Sequence, residues 1–234
     1  MIRGASLGAR FDMTSFETFE VDDSNRAAFD ACKRVVGRKS DGVVMIGAIG
    51  IGKTHLLEAL AKEFDRLHSF IPAIGVDMVD VPPLAELMDM QFGEPDTAAP
   101  YLRKDEVSKH AHVEFWPMLD LAAALRKDAV EGNGQIVERC MRCDLLLLDD
   151  IGREKMSEFI LQEFQRIIDY RYRQMLPIAV ATNLTRVQIA QKYGGHVISR
   201  WAHSCEVVDI SGSDHRLRLK DSQAGSKEAN DEDG

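Results

Sequence analysis

Gly47-Ala48-Ile49-Gly50-Ile51-Gly52-Lys53-Thr54 sits between an apolar run, Gly42 to Ile46, and a helical pattern that starts at His55. The stretch has the spacing G-x-x-x-x-G-K-[ST] of a phosphate-binding P-loop, and a strand entering with a helix leaving is the setting that motif requires. Gly47, Gly50 and Gly52 let the backbone turn tightly and aim N–H groups at phosphate oxygens. The helix N-terminus adds partial positive charge at the same place. Lys53 is then expected to reach the outer phosphates, and the Thr54 hydroxyl to be placed for Mg²⁺. A plain glycine-rich turn would not require the Lys-Thr pair.

A second anchor lies downstream. Asp144 to Gly152 reads D-L-L-L-L-D-D-I-G, a buried strand with Asp149 and Asp150 emerging at its carboxyl end. Open parallel sheets place their ligands at that end. Beside a P-loop, the first acid normally holds Mg²⁺, and the second can orient or deprotonate an attacking water. Asn183 follows another apolar strand, Pro177 to Ala181, and is expected beside the acids, within reach of the lytic water or the γ-phosphate. Along the chain there is room between the P-loop strand and the acidic strand for one strand and two helices, and a polar Asn ends the strand after the acids, which is the additional-strand arrangement.

The intervening chain is read from periodicity and caps. Ser24 is the expected cap of a helix reaching about Val36, and the P-loop helix buries Leu56, Leu57, Leu60, Phe64 and Leu67. From Ile71 to Ala111 Pro82 and Pro83 break structure, and Leu84 to Phe92 has the pattern of a short Met-rich amphipathic helix. A strand over His112 to Trp116 and a helix over Asp120 to Lys127 follow; the alternative strand, Ala73 to Val76, would leave 77–111 on its far side. A long helix is expected from Ser157 to Arg173, a capping box at Thr185 and Gln188, and a helix stop at Gly194. Ser199-Arg200-Trp201 opens a short helix, and Cys205 to Ile210 is the fifth strand of a parallel sheet.

Composition narrows the function classes. With 234 residues and 45% hydrophobic content the chain can bury one sizeable core. It has neither an apolar run of membrane-spanning length nor the apolar centre of a signal peptide, so a cytoplasmic location is expected. Cys32, Cys140, Cys143 and Cys205 fit that compartment as reduced packing residues; Cys140 and Cys143 have half of a zinc spacing with no second pair. The net charge of −9, part of it in an acidic tail from 219 to 234 expected to be disordered, leaves nucleic acid only a local patch. By charge alone Arg166, Arg171, Arg173, Arg186 and Lys192 are the candidates for it.

At this point the sequence resembles the AAA+ ATPases, and within them the replicative helicase loaders of the DnaC/DnaI type and the related IstB transposition helpers. The resemblance rests on G-A-I-G-I-G-K-T-H-L, D-L-L-L-L-D-D-I-G-R-E, I-I-D-Y-R-Y-R-Q-M-L-P-I-A-V-A-T-N-L, I-S-R-W and the closing G-S-D-H-R. It implies an α/β, three-layer P-loop NTPase of the additional-strand type, with a five-stranded parallel sheet and a minimal C-terminal lid. The domain would span 14–218, with 71–111 as an insertion and 1–13 as a flexible N-terminus. Gly47 to His55 would bind ATP, Thr54 and Asp149 would hold Mg²⁺, and Asp150 would stand where many members have glutamate. Asn183 would be sensor 1, Arg200 the arginine finger reaching a neighbouring subunit's ATP, and Arg216 sensor 2. F-E-T-F-E-V-D-D-S-N, from Phe16, would help form the adenine pocket.

The implied function is loading of a hexameric replicative helicase, with ATP and single-stranded DNA as coupled ligands, self-assembly through Arg200 and no membrane. The sequence also admits a transposase helper that assembles on duplex DNA, a scaffold that binds ATP without hydrolysing it, and a small-molecule kinase. The trans arginine and the sensor-like Asn183 disfavour the kinase. Typical loaders carry a separate amino-terminal region that grips the helicase, and here only about a dozen residues precede the resemblance. The expectation is a contact moved into 71–111, where Leu84, Leu87, Met88 and Phe92 are a candidate surface, a compact phage-type version, or a different partner.

Overall fold

A computed structural model describes residues 2–4, 11–68, 111–132 and 134–212. The expected insertion, the apolar residues from Leu84 to Phe92, the lid, Arg216 and the acidic tail lie outside these residues, apart from Ala111 at the insertion's end. Among the described residues no helix is long and apolar enough to cross a membrane.

Strand β2 (Gly42–Gly47) delivers the glycine loop and α2 (Lys53–His68) leaves it, as the flanking patterns require. Both neighbours of β2 are parallel: β5 (Ile178–Thr182) on one side and β6 (Glu206–Ile210) on the other. The acidic strand β4 (Leu145–Ile151) pairs with β5, and β3 (Val113–Pro117) with β4. An additional strand therefore separates the loop from the acids.

Among the described residues the sheet has six strands rather than five. Ile2–Gly4 forms β1, parallel to β3 at the sheet edge, and Phe11–Met13 make a short 3₁₀ turn, both within a stretch read as unstructured. A three-residue strand has no periodicity of its own. Its partner is more than a hundred positions away, so only the assembled edge reveals it.

Each strand alternates between two apolar layers. Val43, Met45, Leu145, Leu147, Ala179 and Ala181 pack on α1 (Arg26–Val36) and α2. Val44, Ile46, Leu146, Leu148 and Val180 pack on α3 (Met118–Glu131), α4 (Gln135–Arg142), α5 (Glu158–Arg173), α6 (Arg186–Tyr193) and α7 (Gly195–Ser204). Burial on both faces accounts for the near-continuous apolar runs of the central strands.

Three local readings change. The first helix is preceded by Asn25, not Ser24, whose hydroxyl instead meets Asp22 Oδ1 at 2.5 Å. Helix α4 was not foreseen; eight residues, four of them charged or amide-bearing, gave no legible stripe. Ser199-Arg200-Trp201 lies inside α7, whose start is Gly195. Elsewhere the local chemistry holds: Ser157 Oγ caps α5 through the Ile160 N–H, and Thr185 and Gln188 form both halves of their box.

The cysteines are packing residues. Cys32, Cys140 and Cys143 are fully buried and Cys205 partly so, all free thiols. Burial pushes Cys143 up to about 11 and Cys32 up to about 12, which leaves them protonated and unreactive.

Candidate nucleotide site

Three strands end at one place. From β2 comes the loop, from β4 the acid pair and from β5 Asn183. Within the loop, Gly52 has φ +93°, and Phe19 packs so closely that a Cβ there would come within 2.8 Å of the ring. Only glycine fits, and the contact brings the aromatic segment ahead of β2 directly onto the loop. Ile51 is buried beneath the turn, whereas Ile49 is 62% exposed at its tip.

Lys53 is buried and folds back over the loop. Its Nζ donates to Gly47 O at 2.9 Å, Ala48 O at 2.6 Å and Asn183 Oδ1 at 3.0 Å. Thr54 Oγ1 donates to Asp149 Oδ2 at 2.9 Å, while the other carboxylate oxygen accepts the Asp150 N–H at 2.9 Å. One cation, one hydroxyl, one carboxylate and one amide thus converge from all three strand ends, with Asn183 bonded to Lys53 rather than to either acid among the described residues.

His55 turns away from the loop. Its Nε2 meets Ser15 O at 2.9 Å and Thr18 Oγ1 at 3.3 Å, and its ring stands edge-on to Phe19. It joins the aromatic segment to α2.

Asp150 points elsewhere than Asp149. The β4–β5 register slips between Leu148 and Ile151, and in that bulge Asp150 takes φ +52°, a left-handed conformation that aspartate tolerates better than most residues. Its carboxylate accepts from Arg153 Nη1 at 3.0 Å. Its side chain is thus engaged by Arg153, an arginine that sequence reasoning had not assigned, rather than by Thr54 or Lys53.

The charge balance of the site suits a divalent cation. Burial, and then the neighbouring Asp150, push Asp149 up to about 6, against the lowering effect of Thr54 and the Asp150 amide. A desolvated carboxylate bonded to a hydroxyl, with a second carboxylate next in the chain, is a hard oxygen pair of the kind a divalent cation takes. Asp149 and Thr54 are the side chains that would hold Mg²⁺. Held there, the ion would supply charge neutralisation to the phosphates. Among the described residues no group of three His, Cys, Asp or Glu side chains is arranged for a metal; Mg²⁺ held with a nucleotide needs only one or two carboxylates.

A pH dependence follows for the nucleotide-free protein. Because the folded state holds the Asp149 proton more tightly than the unfolded chain, stability falls as pH rises from the ordinary aspartate range through about 6. The loss is at most about 3 kcal/mol. Asp149→Asn removes it. In melts without magnesium or nucleotide, this variant is expected to exceed wild type at neutral pH and to match it in acid; equal stabilities at neutral pH would contradict the assignment.

Arg200 lies elsewhere. It forms a two-pronged ion pair with Asp169 of α5, Nη2 to Oδ2 at 3.1 Å, and shares its surroundings with Asp41 and Ile178 at the amino ends of β2 and β5. The loop is at their carboxyl ends, so Arg200 is not part of its own chain's site. Of the residues suggested for nucleic acid by charge, Arg171 is only 1% exposed and Lys192 is bonded to Gly152 O and Glu154. Neither is available to a nucleic acid. Arg186 pairs with Asp209 and Arg166 with Glu163 on the surface, and Arg173 Nε donates to Asp169 O.

A family model of IstB-like ATP-binding proteins matches residues 99–224, more than half of the chain. The chain belongs to this family. A second model, the bacterial DnaA ATPase domain, matches residues 11–71 of the IstB-like chain, the part that carries the loop. Among curated relatives, the chromosomal replication initiator DnaA of Gloeothece citriformis is 24% identical over 208 residues, 88% of this chain and 37% of its own length. DnaA of Campylobacter jejuni subsp. jejuni is 41% identical over 53 residues, 20% of this chain and 12% of its own. The IstB-like chain thus spans well under half of the curated relatives it matches.

Three solved structures share the fold of the IstB-like chain. The DnaC helicase loader superposes with a TM-score of 0.63 at 19% identity, covering 87% of this chain and 100% of its own. DnaI gives 0.60 at 17%, covering 91% and 96%. DnaA bound to AMPPCP and single-stranded DNA gives 0.60 at 20%, covering 92% and 55%. The fold is that of an AAA+ P-loop ATPase, and the IstB-like chain is an ATP-binding protein.

Proposed function

We propose that this chain is an ATP-dependent loader of a hexameric replicative DNA helicase that hydrolyses ATP between adjoining copies and couples it to single-stranded DNA. The observation that carries the ATPase reading is the convergence of Lys53, Thr54, Asp149 and Asn183 from three parallel strand ends. The loader reading draws support from the likeness to DnaC and DnaI over nearly the whole of those chains.

In this reading the loop amides and Lys53 hold the phosphates, and Thr54 and Asp149 hold Mg²⁺. Asp150 activates the water and Asn183 orients it against the γ-phosphate. Arg200 leaves Asp169 to reach the nucleotide of an adjoining copy, and Arg216 contributes as a second sensor. The DNA-contacting patch would be local, given the acidic balance of the chain.

The test is ATPase activity against protein concentration, with and without single-stranded DNA and a replicative helicase. Activity rising faster than in proportion to protein, together with nucleotide-dependent co-purification with the helicase, is expected. Failure to bind the helicase with or without nucleotide would overturn the loader role. Family membership favours one second reading, a transposase helper; ATP-dependent assembly on duplex DNA in preference to single strands, without helicase contact, would select it.

A further inference from the structure

The last residue of D-D-I-G-R-E, Glu154, is buried, charged and has no part in the site described so far. Its carboxylate is fully engaged. Oε2 accepts the Gly152 N–H at 3.0 Å, and Oε1 accepts the Tyr193 hydroxyl at 2.6 Å and meets Lys192 Nζ at 3.1 Å. Lys192 Nζ in turn donates to Gly152 O at 2.5 Å and Glu154 O at 2.9 Å. Both the N–H and the carbonyl of Gly152 are therefore gripped by one charge pair.

That grip falls next to a backbone needing support. Asp150 has φ +52° and Gly152 φ +114°, and Leu184 packs where a Gly152 Cβ would come within 2.6 Å. Uncommon conformations of this kind persist only where the surroundings over-determine them. Lys192 and Tyr193 are the last two residues of α6, which starts at Arg186, three residues after Asn183. Gln165 of α5 holds the far end by donating to Tyr193 O at 2.8 Å, and Thr182 Oγ1 ties β5 to Ile151 O at 2.8 Å. Asn183 and the acid loop are thus fixed to a single rigid body, α6.

We propose that Glu154 is a positioning residue: through Gly152, Lys192 and Tyr193 it sets the acid loop against the helix following Asn183, and so fixes where the Asp150 carboxylate stands. The proposal rests on the ATP-hydrolysis reading above. Glu154 never touches the nucleotide, so its removal affects turnover rather than affinity. A misplacement of about 1 Å can cost roughly 100-fold in rate.

The test compares wild type, Glu154→Gln, Tyr193→Phe and the double variant, each for Mg–ATP affinity by fluorescent-nucleotide titration and for kcat. The expected result is unchanged affinity with kcat lowered roughly 10- to 100-fold in Glu154→Gln, less in Tyr193→Phe, and no further loss in the double variant. A stabilising network with no positioning role would lower the melting temperature and leave kcat per folded molecule intact; that outcome overturns the proposal. Should Glu154→Gln fail to fold, Tyr193→Phe decides: lowered kcat at unchanged affinity supports the proposal, and unchanged kcat overturns it. Wild type that binds no nucleotide or does not turn it over would refute the ATPase reading instead, so the two failures are distinguishable.

Discussion

Replacing Arg200 with alanine is expected to leave ATP binding intact and to lower hydrolysis by roughly 10³- to 10⁵-fold, the contribution typical of an arginine supplied from outside a phosphoryl-transfer site. The geometry excludes a role within the same chain. Arg200 shares its surroundings with Asp41, just before β2, and the loop begins where β2 ends. A six-residue strand puts those ends about 20 Å apart. In the isolated chain the guanidinium is held by Asp169, with both side chains partly exposed. An ion pair of that kind is worth about 1 kcal/mol or less, so exchanging it for a neighbour's phosphate costs little. Mixing Arg200→Ala with wild type is the decisive form of the experiment. A trans contribution makes activity depart from proportionality, because each site draws on two copies. Activity strictly proportional to the wild-type fraction at every ratio would refute it.

The second large effect concerns Arg171. It is a guanidinium buried against backbone: Nη1 donates to Cys140 O, Met141 O and Cys143 O at 2.9, 3.3 and 3.0 Å, and Nη2 to Pro177 O at 2.5 Å. Two of these are orphan carbonyls of the last turn of α4, where a positive charge also complements the helix dipole. The same side chain ties α4 to the turn ahead of β5, so it fastens the acidic strand's entry to its neighbour's. Arg171→Met leaves the Cys140, Met141 and Cys143 carbonyls without this donor, each at about 1–3 kcal/mol, offset in part by no longer burying a cation; Pro177 O keeps the Leu146 N–H. A net loss of about 3–5 kcal/mol in urea unfolding is expected. Arg171→Lys should recover little, because a lysine has no planar fork to span several acceptors. A loss below about 1 kcal/mol would show that the network is dispensable.

These two arginines mark the limit of what the sequence reveals. What depends on short-range chemistry is legible: the loop, because its glycines and Lys-Thr pair lie within eight residues; the acid strand, because four leucines precede two aspartates; the capping box at Thr185 and Gln188. The convergence of Lys53, Asp149 and Asn183 is legible too, since parallel strands fix which ends meet. Partners distant in sequence are not. Nothing local distinguishes Arg171, a buried cap, from Arg173, whose Nε bonds one backbone carbonyl on an exposed face. Nothing local joins Glu154 to Tyr193, 39 positions on, or Arg200 to Asp169. β1 and α4 are missed for a related reason, being too short to carry a period. Asp150 illustrates a different failure. Its residue type is plain, yet its direction depends on a register slip between two strands, which no one-dimensional pattern records.

Under the proposed function one nucleoside triphosphate binds in the crevice shared by Lys53, Asp149 and Asn183. Calorimetric titration of the full chain with a non-hydrolysable ATP analogue, in the presence and absence of magnesium, tests it most directly. Saturable binding of one nucleotide per chain, tighter with magnesium, is expected. Absence of any binding heat with magnesium present, in a sample whose circular dichroism is that of the folded protein, would contradict it.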